Sequence, residues 1–250
     1  CLLKPGDLVL VERPGYKPAW DTFKHAGAKL IPLKVDRNGI DMEVVKSILS
    51  HTPVKAIYLN PHHQFPTTVT LSLSRRLELI KLSNHYGFTI IEDDYDSDFY
   101  FGKRPKVPIS SHEELNNFIY IGTLSKLISP AIRIGYLYTN PDLLNKIGKL
   151  RKIIDTQSDN IMELAIWELI NSGDIRRHKK RVIQLYMRTR TVLMLLLHEY
   201  LKGKFIFQRP DGGLAFWLSF PDDIDFLNIH NIALSRGLFF CSRECFGCAK

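Results

Sequence analysis

Short apolar runs that alternate with helix-length stretches constrain this chain more than any other feature. Residues 7–11 (DLVLV), 28–35 (AKLIPLKV), 56–59 (AIYL), 88–91 (FTII), 118–121 (FIYI) and 132–138 (IRIGYLY) each read as a short buried strand bounded by Gly, Pro, Asn or Asp. Residues 19–26 and 41–49 fit helices between them. The clearest helix is 73–86, where Leu77, Leu79, Ile80, Leu82 and Tyr86 are mixed with charges and Gly87 supplies a C-cap. Strands this apolar need cover on both faces. The pattern therefore predicts an α/β fold, a mostly parallel sheet sandwiched by helices. Ligands of such sheets bind beyond the C-terminal ends of the strands, so the polar residues that follow each run are the ones to read.

After Asn140 the pattern changes. Residues 142–154 and 159–170 fit amphipathic helices and 175–200 a long basic one. Two short strands, 204–208 and 214–220, flank the turn Pro210-Asp211-Gly212-Gly213. The expected organisation is a large domain over 1–150, a helical interdomain region over 151–180, and part of a smaller α+β domain over 181–250. A hydrophobic share of 45% with 24% charged residues excludes disorder, collagen and a small disulfide scaffold. The longest strongly apolar stretch, 192–197, is far short of the ~20 residues of a membrane span. Four cysteines and no signal-peptide pattern point to a reducing, cytoplasmic setting without a membrane. A formal net charge of +8 permits an anionic partner without demanding nucleic acid.

Two strand ends carry the chemistry. The run 88–91 is followed by Glu92-Asp93-Asp94-Tyr95-Asp96-Ser97-Asp98, five acids in seven residues. Such a cluster can hold a divalent metal or pair with a cationic ring nitrogen. The run 118–121 is followed by Gly122-Thr123-Leu124-Ser125-Lys126, and Arg133 stands seven residues on among apolar neighbours. A buried Arg there needs a partner, and phosphate is a good bidentate one. No Gly-x-x-x-x-Gly-Lys loop exists, which excludes a P-loop nucleotide site. A lysine, hydroxyls and an arginine facing acids fit pyridoxal phosphate, which needs an amine, a carboxylate for its pyridinium nitrogen, and phosphate ligands.

Four strings extend this. Val11-Glu12-Arg13-Pro14-Gly15-Tyr16, Pro61-His62-His63-Gln64-Phe65-Pro66-Thr67, Ile91 to Ser97, and Gly122 to Lys126 stand in an order and spacing that resemble the fold-type I pyridoxal-phosphate proteins of aminotransferase class I/II. The chain is most similar to the aminotransferase-like domain of MocR/GabR-type regulators, up to about Phe240. The resemblance implies Lys126 as the Schiff-base lysine and Asp93 as the partner of the ring nitrogen. It places Tyr95 near the phenolic oxygen, Tyr16 stacked on the ring, and Thr123, Ser125 and Arg133 around the phosphate. His63 and Gln64 fall on a loop beside the cofactor. It further implies an amino-acid or vitamin B6 effector, a homodimer when full length, and DNA contact through a winged-helix domain that this chain does not contain. The alternative it leaves is a working aminotransferase.

Departures from the family pattern are Thr68 where Gly usually follows Pro-Thr, Ala131 where Gly is common, and Leu124 and Leu127 for the usual Phe and Thr. Phe65 replaces an Asn of ordinary aminotransferases and is normal for the MocR group. The chain lacks an initiator Met and the family's Gly-Ser-Gln phosphate segment. No arginine present, Arg243 included, matches the carboxylate-binding position, which is expected beyond Lys250. A chain without these parts is expected to bind the cofactor weakly. Cys241, Cys245 and Cys248 have the spacing of a radical S-adenosylmethionine cluster loop, but nothing follows them, and free thiols are the simpler expectation. The basic run Arg176-Arg177-His178-Lys179-Lys180-Arg181 could touch DNA phosphates, with a solvated helix face as the simpler reading.

Overall fold

The computed structural model describes residues 1–102, 106–201, 203–221, 224–241 and 243–247. The apolar runs form the strands β1 (Leu8–Arg13), β2 (Lys29–Asp36), β4 (Ala56–Leu59), β5 (Thr89–Asp94), β6 (Phe118–Thr123) and β7 (Gly135–Thr139). A two-residue strand, β3 (Gly39–Ile40), folds back on β2. The seven lie in one sheet in the order β3-β2-β1-β4-β5-β6-β7. The four central pairings are parallel, and the two edge pairings, β2 with β3 and β6 with β7, are antiparallel.

Helices cover both faces. Along β1, Leu10 points into a cluster with Ile57, Ile90, Leu79 and Ile80, while Val9 and Val11 point into a second with Tyr58, Ile91 and Trp20. This alternation is the two-residue period of a strand buried on both sides. The first cluster is closed by α2 (Met42–His51) and α3 (Leu73–Tyr86), the second by α1 (Lys17–His25). Local chemistry fixes the helix ends. Asp41 caps α2 by accepting from the Glu43 N–H, and Gly87 ends α3 in the left-handed conformation at φ +75°.

The chain leaves β1 in one direction along the sheet, to β2, and resumes at β4 on the other side of β1. The sheet therefore has its switch point between β1 and β4, where a crevice opens at the C-terminal strand ends.

The remainder is helical. α4 (Pro141–Asp155), α5 (Asn160–Asn171) and the 28-residue α6 (Asp174–Leu201) are followed by the hairpin β8 (Ile206–Phe207) and β9 (Leu218–Ser219), and by α7 (Phe226–Ser235). No helix among the described residues is long and apolar enough to cross a membrane.

One sequence expectation fails here. Residues 132–138 are not one buried strand. Pro130–Ile132 is a 3-10 turn, Arg133 is exposed in the left-handed region at φ +49°, and the strand begins only at Gly135. Ile132 and Ile134 are half-buried turn residues, and β7 is an edge strand with four of its five residues exposed. An arginine in this setting needs no buried partner.

Candidate functional site

The five acids after β5 do not have equal freedom. Glu92 is fully buried and accepts the N–H groups of Ile109 and Ser110 at 3.0 and 2.8 Å. Asp94 accepts the Tyr120 hydroxyl at 2.6 Å and the Ser97 N–H at 3.1 Å. Asp96 is bonded to His63 Nδ1 at 2.8 Å and to the Leu214 N–H at 3.1 Å. Asp98 pairs with Lys179. Among the described residues, Asp93 is the member of this run whose carboxylate is met by neither a backbone N–H nor a cation. Its Oδ2 accepts the Tyr58 hydroxyl, and its main-chain carbonyl accepts Asn60 Nδ2 at 2.7 Å. Burial pushes the Asp93 carboxyl above the ordinary range, with the Tyr58 bond opposing. A half-buried carboxylate in want of a positive partner suits a cationic ring nitrogen.

Glu12, at the end of β1, is a site residue that sequence reasoning did not single out. It is buried and accepts the Asn60 N–H at 2.9 Å, which bridges the switch point between β1 and β4. Desolvation raises its pKa to about 8. Tyr58 was also missed. It is buried inside β4, and burial followed by the Asp93 charge raises its phenol well above the usual value. Glu12 shared the signal that marked Asp93, an acid at the C-terminal end of an apolar strand. Tyr58 had none, being one aromatic within an apolar run.

Three loops converge on these groups. Tyr16, 42% exposed, caps the start of α1 and sets its ring edge-on to Phe65 at 5.9 Å. Tyr95 meets the same Phe65 ring at 5.9 Å, and Phe246 meets it at 5.4 Å. The Tyr95 hydroxyl donates to the His63 carbonyl at 3.2 Å. Gln64 is buried with its amide fully engaged: Nε2 donates to the carbonyls of Pro14 and Phe65 at 2.7 and 2.8 Å, and Oε1 accepts from the Thr67 N–H and hydroxyl. Gln64 thus ties the loop after β4 to the loop after β1. The turn closes with the Thr68 N–H on the Gln64 carbonyl at 2.7 Å, and Thr68 sits at φ +63°, where the family's Gly would be unstrained.

The ring of His63 is also buried, between Asp96 and the turn at Gly212 and Gly213. A Cβ at Gly212 would lie 2.6 Å from His63 Nε2, and one at Gly213, φ +79°, would lie 2.8 Å from Asp96 Oδ2. The two glycines let the β8–β9 connection seat directly on the site.

Thr123 ends β6, and Ser125, Lys126 and Arg133 lie on the connection from β6 to β7, next to the end of β5 where Asp93 pairs with Ile121. Thr123 Oγ1 accepts the Ser125 N–H at 3.1 Å, and the Leu124 N–H bonds to the Ile134 carbonyl at 3.1 Å. Lys126 and Arg133 are exposed and make no ion pair among the described residues. Cys241 and Cys245 are exposed, while Cys248 lies outside the described residues. No group of three or more His, Cys, Asp or Glu among the described residues is arranged to hold a metal. Half of the basic run is committed within the fold: Arg177 pairs with Asp174, Lys179 with Asp98, and His178 bonds to the Leu127 carbonyl.

Solved structures share this fold over 98% of the chain. The multiple substrate aminotransferase of Thermococcus profundus superposes with a TM-score of 0.90 at 28% identity, with 62% of that protein covered. The kynurenine aminotransferase of Pyrococcus horikoshii, solved with PMP, gives 0.91 at 27% identity and 62% coverage. Among curated relatives, the aromatic-amino-acid aminotransferase 1 of Thermococcus litoralis is 26% identical over 98% of the chain and 60% of its own length. The probable rhizopine catabolism regulatory protein MocR of Rhizobium meliloti is 27% identical over 96% of the chain and 48% of its own length. The chain thus spans about half to three-fifths of these relatives. The family model for aminotransferase class I and II matches residues 1–246, and with this sheet, switch point and set of strand-end residues the chain belongs to that family.

Proposed function

We propose that this chain is the pyridoxal-phosphate-binding, aminotransferase-like part of a MocR-type transcriptional regulator, which uses the cofactor to sense an amino acid or vitamin B6 itself. The observation that carries the cofactor reading is Asp93, the one acid of its run without a cation or backbone N–H to meet it among the described residues. It opens at a strand end beside the connection that carries Lys126. When bound, pyridoxal 5'-phosphate supplies an electron sink for chemistry at the Cα of an amino acid.

The chain's own residues would do the rest. Asp93, held by Tyr58, keeps a proton on the ring nitrogen. Lys126 supplies the amine that attaches the cofactor. Tyr16 lies against the ring and Tyr95 stands near the phenolic oxygen. Thr123, Ser125 and Arg133 meet the phosphate charge with hydroxyls and a guanidinium. The buried His63 and Gln64 hold the loop beside the ring.

The regulator reading is supported by Phe65. An aromatic ring stands at the centre of Tyr16, Tyr95 and Phe246 where ordinary aminotransferases have an amide. It is supported too by curated relatives that include MocR and the HTH-type regulator YdfD of Bacillus subtilis. The aromatic-amino-acid aminotransferase relative favours the second reading, a working transaminase.

The intact gene product decides between them. It should bind one cofactor per chain, fixed by borohydride on the peptide containing Lys126. It should retain particular fragments of sheared genomic DNA in an amino-acid-dependent way, without sustained keto-acid production. Steady turnover with no DNA retention would establish the enzyme instead, and a label on another lysine would overturn the site.

A further inference from the structure

The first turns of α6 lie against both loops of the site. His178 Nε2 donates to the main-chain carbonyl of Leu127 at 2.9 Å. The next residue, Lys179, pairs with Asp98 at the end of the acidic run. Leu127 follows Lys126 directly, and its own side chain is buried. Two consecutive residues of one helix therefore grip the loop that carries Lys126 and the loop that follows Asp93 and carries Tyr95. The Lys126 turn is also tied by its own backbone, through the Ile128 N–H on the Leu124 carbonyl at 2.9 Å. The contact from His178 comes from outside the turn, from a helix that also pairs with the loop after β5. An imidazole nitrogen that faces a carbonyl oxygen must carry a hydrogen, in the neutral tautomer as in the protonated ring.

We infer that His178 is a positioning residue for Lys126: its hydrogen bond to the Leu127 carbonyl holds the Lys126 turn so that the amine is presented to a group seated at Asp93. This rests on the reading of Lys126 as the attachment lysine. In that attachment the Lys126 nitrogen bonds to the aldehyde carbon of the cofactor, the aldehyde oxygen leaves as water, and borohydride then adds hydride to fix the link as a secondary amine. A displaced turn slows the first step and leaves Asp93 and Tyr16, which stand on other elements, in place.

The test uses the intact gene product with His178→Ala and His178→Gln. Pyridoxal phosphate attachment is followed by absorbance and by borohydride mapping. Affinity for pyridoxamine phosphate, whose amine cannot condense with a lysine, is measured beside it. Loss of one hydrogen bond that matters in the reacting geometry should slow attachment at Lys126 about tenfold in His178→Ala. Pyridoxamine phosphate affinity, which draws one phosphate contact from Ser125 in the same turn, should fall by no more than about threefold, and the urea midpoint should stay within experimental error of the parent. His178→Gln, whose amide nitrogen reaches the same place, should restore the rate. Attachment in His178→Ala at the parental rate would overturn the inference. So would a loss of rate, pyridoxamine phosphate affinity and stability together that Gln does not restore. Failure of the parent itself to label Lys126 would instead overturn the cofactor reading on which the inference rests.

Discussion

The two ends of this chain are built on different terms. Up to Leu127, apolar side chains are buried on both faces of the sheet, and Val9, Leu10, Ile57, Leu59, Leu79 and Ile90 are fully enclosed. Beyond Leu127 the buried aliphatic and aromatic side chains among those described are Ile166 and Phe246, whereas Ile153, Ile161 and Leu164 are 82%, 84% and 64% exposed. Amphipathic helices occur in both regions, so amphipathic pattern alone does not tell a buried helix from an unpartnered one. What separates them is the sheet, which gives each helix of the first region a face to cover. The site straddles this division. Asp93, Tyr95, Tyr16 and Gln64 stand on the enclosed part, and Lys126 and Arg133 stand where enclosure ends.

The largest effect should come from breaking the enclosed region. Ile57→Ala should cost about 2–5 kcal/mol in urea unfolding, as buried aliphatic truncations do. Ile161→Ala should stay within about 0.5 kcal/mol of the parent. Comparable losses at the two positions would show that α5 is covered in solution.

Next is the pH dependence of Glu12. Its folded pKa is raised to about 8, while the unfolded carboxyl titrates near 4.5. Between these values the unfolded chain has lost a proton that the folded chain retains. Stability therefore falls as pH rises from about 4.5 to 8, by at most about 1.4 kcal/mol per pH unit for this group, and levels off above 8. Glu12→Gln should flatten that slope, read as urea midpoints at pH 5 and pH 8. An unchanged slope would place the titration elsewhere.

The seam between the regions can be tested at Asp96. Asp96→Ala removes the acceptor of His63 and of the Leu214 N–H and should cost about 1.5–3 kcal/mol. Hydrogen exchange should quicken at Leu214 and leave β1 and β4 protected. Equal loss of protection throughout would mean that the regions open as one unit.

The smallest effect has the opposite sign. Thr68 is a β-branched residue held at φ +63°, so Thr68→Gly relieves roughly 1–2 kcal/mol of backbone strain, offset by about 0.5–1 kcal/mol of chain entropy. A net gain of about 1 kcal/mol or less in thermal unfolding is expected, and a net loss would show that the Thr68 side chain contributes to the loop.

How far these elements could be read in advance depended on how local their causes are. The strands of the first region were legible because burial on both faces demands unbroken apolar runs. Helix 73–86 was legible because Gly87 marks its end. The antiparallel direction of β7 was not, since direction is set by connection geometry and leaves no trace in composition. Arg133 was read as buried because Ile132 and Ile134 flank it, yet those residues pack as turn neighbours. In the candidate site, the acidic run and Lys126 were marked by following apolar runs, while the choice of Asp93 within that run and the placing of Tyr95 came from the family resemblance. Tyr58 and His178 act through contacts 35 and 51 residues away in sequence, and no local pattern encodes such a partner. The basic run around His178 concealed it, because charge was the conspicuous property and one ring nitrogen was the useful one.

The length of α6 has a mechanical consequence. At 1.5 Å per residue, His178 and Arg190 stand ~18 Å apart along a single rod. Arg190 is anchored at the other side of the site, on the Pro210 carbonyl at 2.9 Å and over the Phe101 ring at 4.6 Å. With that anchor as fulcrum, a tilt of about 10° would sweep the His178 end through ~3 Å. That travel is as long as the bond His178 makes to Leu127. One helix thus ties the glycine turn beside His63 to the turn that carries Lys126.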